Sequence, residues 1–224
     1  MLELRNIRKD YAGMSELSYS FDNGTVYSLI GPNGAGKTTL CNIMTGMLSL
    51  DEGEVYLNNV DTRNRRAKKD IGYALDDDSC YPNMKLYDLF RFLLTEKYGE
   101  IDNDKLEGLL VGYELIDKTE KKYRECSLGM KKKVRLILSI YNDPLLVVLD
   151  EPTNSIDTSA IIRLKDDVRR LEASGSTVII ASHSLDFVEK IAKEHLFLKK
   201  GILKASAKGD CDLEECYKAY VINN

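Results

Sequence analysis

The sequence predicts an α/β domain on a largely parallel sheet, with an N-terminal antiparallel β region and an inserted α-helical subdomain. Three observations carry this. Short apolar runs of strand length alternate with stretches of helical spacing along most of the chain. The later strands, Leu145–Leu149 and Thr177–Ala181, are apolar throughout, as strands covered on both faces are. Between about residues 77 and 142 the strand signals stop and helical periodicity takes over. The expected layout is one domain over 1–224, its core at about 1–76 and 143–224 and its helical subdomain at about 77–142.

Leu2–Ile7 and Leu17–Phe21 have the apolar pattern of strands and are separated by a turn at Gly13. Asp22-Asn23-Gly24 is a turn signal, from which Thr25–Ile30 runs as a buried strand into a glycine-rich stretch and a helix from about Lys37 to Thr45. Gly53–Leu57 reads as a strand turned by Asn58-Asn59, Arg63–Lys69 as a basic, solvated helix or loop, and Ile71–Leu75 as a short apolar run. Leu86, Leu89, Phe90, Leu93 and Leu94, then Leu106, Leu109 and Leu110, keep helical spacing from Leu86 to about Tyr113. A further helix over Lys131–Ile140 has Ser127 as its cap and ends at Asp143-Pro144. The remainder alternates strand (Leu145–Leu149), helix (Ser159–Ala173), strand (Thr177–Ala181) and helix (Leu185–Ala192). Leu196–Leu198 and Ile202–Lys204 flank Lys200-Gly201 as a hairpin.

Composition narrows the function. The apolar fraction of 43% is ample for a core, and 32 basic against 36 acidic residues give a net charge of −4. No global basic field is therefore available to hold nucleic acid or an anionic membrane. The longest apolar runs fall far below the ~20 residues that span a bilayer. The chain opens on Leu2–Ile7 with no apolar leader, so a cytoplasmic location is expected. Five cysteines, with no C-x-x-C pair and no histidine at zinc spacing, are expected as thiols rather than metal ligands.

The sharpest signal is Gly31-Pro32-Asn33-Gly34-Ala35-Gly36-Lys37-Thr38, a G-x-x-x-x-G-K-[ST] loop between a predicted strand and a predicted helix. Glycines let successive backbone N–H groups turn toward one point, which makes an anion nest at a helix N-terminus. Lys37 adds a point charge for the β- and γ-phosphates, and the Thr38 hydroxyl suits Mg²⁺. Asn33, Gly34, Ala35, Gly36 and Thr39 complete the predicted phosphate cradle.

Such a loop leaves kinase, GTPase and motor ATPase open. The second signal is Leu145–Leu149 followed by Asp150-Glu151. The strand delivers Asp150 to the carboxyl edge of the sheet, where ligands of open α/β folds gather. Asp150 there suits the Mg²⁺ shell, and Glu151 suits polarising an attacking water.

With these two motifs in place, the chain resembles the nucleotide-binding subunits of ABC transporters over nearly its whole length. Cys126-Ser127-Leu128-Gly129-Met130 stands where that family carries its L-S-G-G-Q signature, and Asn154-Ser155-Ile156-Asp157 looks like its D-loop. His183 matches the switch histidine, Tyr11 the aromatic that stacks on adenine, and Asp76 the Q-loop position. The resemblance implies an ABC-type ATPase core that binds ATP and Mg²⁺ in a head-to-tail dimer, as a homodimer or with another ATPase subunit. Each site would take Lys37, Thr38, Asp150, Glu151, His183 and Asp76 from one subunit. Ser127 and Gly129 would come from the other, and Asp157 is a further nucleotide-binding candidate. The ATPase would drive an integral membrane permease from the cytoplasmic face.

Departures from the family pattern are local. Asp76 replaces glutamine, which keeps an oxygen ligand and adds a charge beside the metal. Leu128 and Met130 replace glycine and glutamine of the signature, whereas Ser127 and Gly129 keep the phosphate-facing positions. Tyr11 lies only twenty residues before Gly31, so the intervening hairpin must be tight. The S-L-G-M form resembles exporter cassettes, so export is expected over import. Tyr81, Met84, Tyr87 and Phe90 lie in the region that in this family meets the permease.

The competing reading is a soluble ABC-type ATPase acting on nucleic acid or ribosomes. Fewer than a hundred residues separate Gly36 from Ser127, which leaves no room for a long coiled coil, and no basic stripe with interleaved aromatics is present. No nucleic-acid partner is expected. Lys131-Lys132-Lys133 and the basic residues from Arg63 to Lys69 read as solvated faces, and His195 as packing.

Overall fold

The computed structural model describes residues 1–74, 81–207 and 212–222. Strands β1 (Leu2–Lys9) and β2 (Met14–Phe21) form an antiparallel hairpin, and β3 (Val26–Ile30) follows. Helix α1 (Lys37–Met44) leads to β4 (Glu52–Leu57) and the short β5 (Val60–Asp61), turned by Asn58 and Asn59 in left-handed conformation. The basic stretch forms the five-residue α2 (Arg65–Lys69), capped by the Asn64 side chain, before β6 (Ile71–Ala74).

The helical stretch between β6 and the next strand holds α3 (Leu86–Tyr98), α4 (Asn103–Gly112) and α5 (Leu128–Ile140). The expected continuous helical text from Leu86 to Tyr113 is broken at Gly99, where φ is 89°. Asp102 then caps α4 by accepting from the Lys105 N–H. Strand β7 (Leu146–Asp150), α6 (Thr158–Ala173), β8 (Thr177–Ala181), α7 (Leu185–Ile191) and the hairpin β9 (Glu194–Lys199) and β10 (Ile202–Ala207) complete the alternation. The chain then adds α8 (Leu213–Tyr217), capped by Asp212, which the sequence reading did not assign.

Two sheets result. The four-stranded sheet has the order β2-β1-β4-β5 and is antiparallel. The six-stranded sheet runs β10-β9-β3-β8-β7-β6, parallel except for the β10 edge. The large sheet is covered on both faces. Tyr27, Leu29, Leu146, Val148, Ile179 and Ala181 pack toward α1 and the small sheet. Their neighbours Val26, Ile30, Val147, Leu149, Val178 and Ile180 pack toward the helices on the other side. The apolar runs Leu146–Leu149 of β7 and Val178–Ala181 of β8 therefore follow from period-two alternation between two cores. Cys41 and Cys126 are free and buried, whereas Cys216 is disulfide-bonded, against the expectation of thiols throughout.

Candidate active site

Parallel register brings the chemistry to one edge. Leu29 of β3 pairs with Ala181 of β8, and Ala181 pairs with Asp150 of β7. The carboxyl ends of three strands thus finish level, and the segments that leave them begin with Gly31, Glu151 and Ser182. They border a cavity of about 380 Å³ lined by Tyr11, Ala12, Asn33, Gly34, Ala35, Gly36, Lys37, Thr38, Thr39, Asp150 and Glu151. All seven predicted residues of the phosphate loop are in that lining.

Gly36 caps α1 with φ 96°, which only glycine adopts without strain, and this turns the loop into the helix. The Lys37 ammonium is buried and donates to the carbonyls of Gly31 at 2.8 Å and Pro32 at 3.3 Å. Those bonds hold the charge over the loop. Thr38 Oγ1 donates to Asp150 Oδ2 at 2.6 Å. Burial pushes the Asp150 carboxyl up, and the neighbouring Glu151 charge adds to that, while the Thr38 bond opposes it. A buried carboxylate and a hydroxyl side by side, on the floor of a phosphate-shaped loop, are hard oxygen donors that fit Mg²⁺. Among the described residues no cluster of three or more His, Cys, Asp or Glu offers another metal cage. Mg²⁺ needs none, because phosphates and water supply most of its ligands.

Glu151 has φ 45°, an unusual conformation for a residue with a side chain, and its N–H donates to the Ala181 carbonyl at 2.8 Å. The turn carries the carboxylate out of the strand. Glu151 Oε2 lies 2.8 Å from His183 Nδ1 and accepts from Ser182 Oγ at 3.4 Å. Glu151 and His183, 32 positions apart in sequence, are thus in direct contact. Tyr11 stands in a short 3-10 turn, Asp10–Ala12, rather than at a strand end, and is 70% exposed at the cavity mouth. This turn and the one at Asp22–Thr25 make the short spacing to Gly31 workable.

Ser127, Gly129 and Asp157 are not among the lining residues of the cavity in the same chain. Ser127 caps α5 by accepting from the Met130 N–H at 3.2 Å, and Leu128 beside it is exposed. A Cβ on Gly129 would sit 2.4 Å from the Ser155 carbonyl, so the signature turn packs directly on the Asn154–Asp157 loop. Asp157 caps α6 by accepting from the Ala160 N–H at 2.9 Å. Asp76 falls outside the described residues.

The lysine run departs from the expected solvated face. Lys132 is 2% exposed and donates to the Asp150 backbone carbonyl at 2.8 Å. Lys133, also buried, meets Asp157 Oδ2 at 2.6 Å. Lys133 is the main reason the Asp157 carboxyl is held well below the usual range, helped by Ser159 and the Ala160 N–H. Only Lys131 keeps to the rim, over the Tyr123 ring. Sequence reasoning missed Lys132 and Lys133 because a charge run carries no mark of which members a helix turns inward. The other basic stretch also departs in part: Lys68 is half-buried on the Thr45 carbonyl. His195 is buried and bonded to Ser28 at 2.7 Å. Of the four residues expected near a permease, Phe90 is core and Met84 partly buried, while Tyr81 and Tyr87 are exposed.

The sequence model of the ABC transporter family matches residues 14–154. The lantibiotic transport ATP-binding protein SrtF of Streptococcus pyogenes is 33% identical over 99% of this chain and 98% of its own. The Nod factor export ATP-binding protein I of Bradyrhizobium diazoefficiens is 29% identical over 96% of this chain and 72% of its own. In three dimensions, the dimeric structure of MJ0796, a bacterial ABC transporter cassette, superposes with a TM-score of 0.84 at 21% identity. That match covers 94% of this chain and all of the other.

Proposed function

We propose, for a chain that belongs to the ABC transporter family and is an ATPase of that family, the role of energy-coupling subunit of an exporter. The observation that carries the reading is the convergence at one sheet edge of the phosphate loop, the Thr38–Asp150 pair and the Glu151–His183 pair. The substrate is ATP. Backbone N–H groups of the Asn33–Thr39 loop and the Lys37 ammonium bind its phosphates, and the exposed Tyr11 ring takes the adenine. Thr38 and Asp150 would hold Mg²⁺, with Asp76 as a further candidate, and the ion would supply charge neutralisation at the phosphate oxygens. Glu151, oriented by His183 and Ser182, accepts the proton of the water that attacks the γ-phosphorus, and ADP and phosphate leave. His183 stays beside that carboxylate and faces the same phosphate.

Ser127 and Gly129 stand away from their own chain's cavity, which supports a head-to-tail dimer in which they complete the partner's site. The helix N-terminus and serine hydroxyl there favour phosphate charge. The second subunit is an identical chain or another ATPase subunit. Among the described residues no helix is long and apolar enough to cross a membrane. We assign the membrane passage to a separate permease. We place the chain at the cytoplasmic face, docked on that permease through the exposed aromatics Tyr81, Tyr87 and Phe92. Export rests on the signature form and on relatives named for lantibiotic transport and Nod factor export. The test is purification of the tagged chain from detergent-solubilised native membranes, with mass spectrometry of its companions. A stoichiometric polytopic protein is expected. A chain that stays in the soluble fraction with nucleic acid or ribosomes, still binding Mg²⁺-ATP, would replace the exporter reading with the soluble one.

A further inference from the structure

Lys9, the last residue of β1, runs beneath the turn that carries Tyr11. It is only 8% exposed, and its Nζ donates to Asp51 Oδ1 at 2.6 Å. The other oxygen of Asp51 accepts from the Asp10 N–H at 2.9 Å, so one carboxylate pins both the ammonium and the turn. The ammonium lies 5.2 Å from the centroid of the Tyr11 ring, within the range of cation–π attraction. Tyr11 lines the cavity and Lys9 does not. The ammonium thus sits over one face of a ring that itself lines the cavity. Arg8 next door is spent on Asp10 and Glu52 at the surface, so Lys9 is the neighbour that meets the ring.

An exposed aromatic that must be ordered on binding loses affinity to that ordering, and a ring already held loses less. A cation on one face also draws π-density toward itself, which makes the opposite face a better stacking partner for an electron-rich purine. We propose that Lys9, anchored by Asp51, is a positioning residue that sets nucleobase affinity by fixing and polarising Tyr11. This rests on the reading of the cavity as the ATP site.

The test compares two ligands on the full-length chain: Mg²⁺-ATP and Mg²⁺-tripolyphosphate, which has phosphates and no base. Lys9→Met is expected to raise the Kd for ATP about three- to tenfold and to leave the Kd for tripolyphosphate unchanged. Lys9→Arg restores ATP binding. Asp51→Asn, which keeps both the lysine and the ring, shifts ATP binding the same way and serves if Lys9→Met does not fold. Equal weakening of both ligands, or no weakening of ATP, overturns the proposal. Tyr11→Ala separates the two levels of the argument. If it binds ATP as tightly as the unaltered chain, the phosphate site stands and the role of Lys9 falls. If the unaltered chain binds neither ligand, the ATP-site reading itself falls.

Discussion

Glu151 holds a left-handed backbone conformation that costs about 1–3 kcal/mol in a residue with a side chain. Its N–H bond to Ala181 and its contact with His183 keep it there. The strain aims a carboxylate at the cavity, so replacing the carboxylate with an amide of the same shape should spare binding and remove the base. Glu151→Gln should keep ATP affinity while lowering kcat at least about 100-fold, measured by phosphate release; near-normal turnover would remove Glu151 from the role of base. Lys37→Ala should abolish binding at micromolar ATP, and undiminished binding in a nucleotide titration would sink the phosphate-loop reading. These residues were legible because their chemistry is local. Eight consecutive positions define the phosphate loop, and Asp150-Glu151 directly follow their strand. Lys9 and Lys132 were not legible, since their partners lie 42 and 18 positions away and are met only through sheet register and helix packing.

Helix α5 ties the signature turn to the catalytic strand of its own chain. Lys132 grips the Asp150 carbonyl, Lys133 grips Asp157, and Gly129 abuts the Ser155 carbonyl. Gly129→Ala should push this turn off the Asn154–Asp157 loop, lowering hydrolysis while far-ultraviolet circular dichroism stays unchanged. An alanine variant with full activity would show that the close approach does not matter. The Lys133–Asp157 pair has a pH signature. A carboxyl held below its usual value stabilises the fold above about pH 4, and that contribution is lost as pH falls through the lowered value. Asp157 is half exposed, so the contribution is about 1 kcal/mol or less. The melting temperature of Lys133→Met should fall less steeply between pH 5 and pH 2 than that of the unaltered chain, and parallel curves would count against the pair. At this scale the sequence announced most elements but hid their ends. The break between α3 and α4 was written in Gly99 and the Asp102 cap, yet the leucine spacing on either side masked it. The five-residue α8, with Asp212 as its cap, is too short for periodicity to mark.

For the whole molecule, apolar strands covered on both faces made the parallel sheet predictable, while the order β9-β3-β8-β7-β6 was not. That order depends on crossovers, which no local pattern records. It also places β3, β8 and β7 side by side, so that the phosphate loop, His183 and the paired acids share one edge. The proposed head-to-tail assembly would complete this edge, since Ser127 and Gly129 are not in the cavity lining of the same chain. The proposed site therefore needs two chains around two ATP molecules. The most direct measurement is the size of Glu151→Gln by light scattering in Mg²⁺-ATP and in Mg²⁺-ADP, alone and mixed with a partner ATPase if one co-purifies. A dimer is expected in ATP that reverts to monomer in ADP. A chain that binds ATP but remains monomeric in every mixture would contradict it.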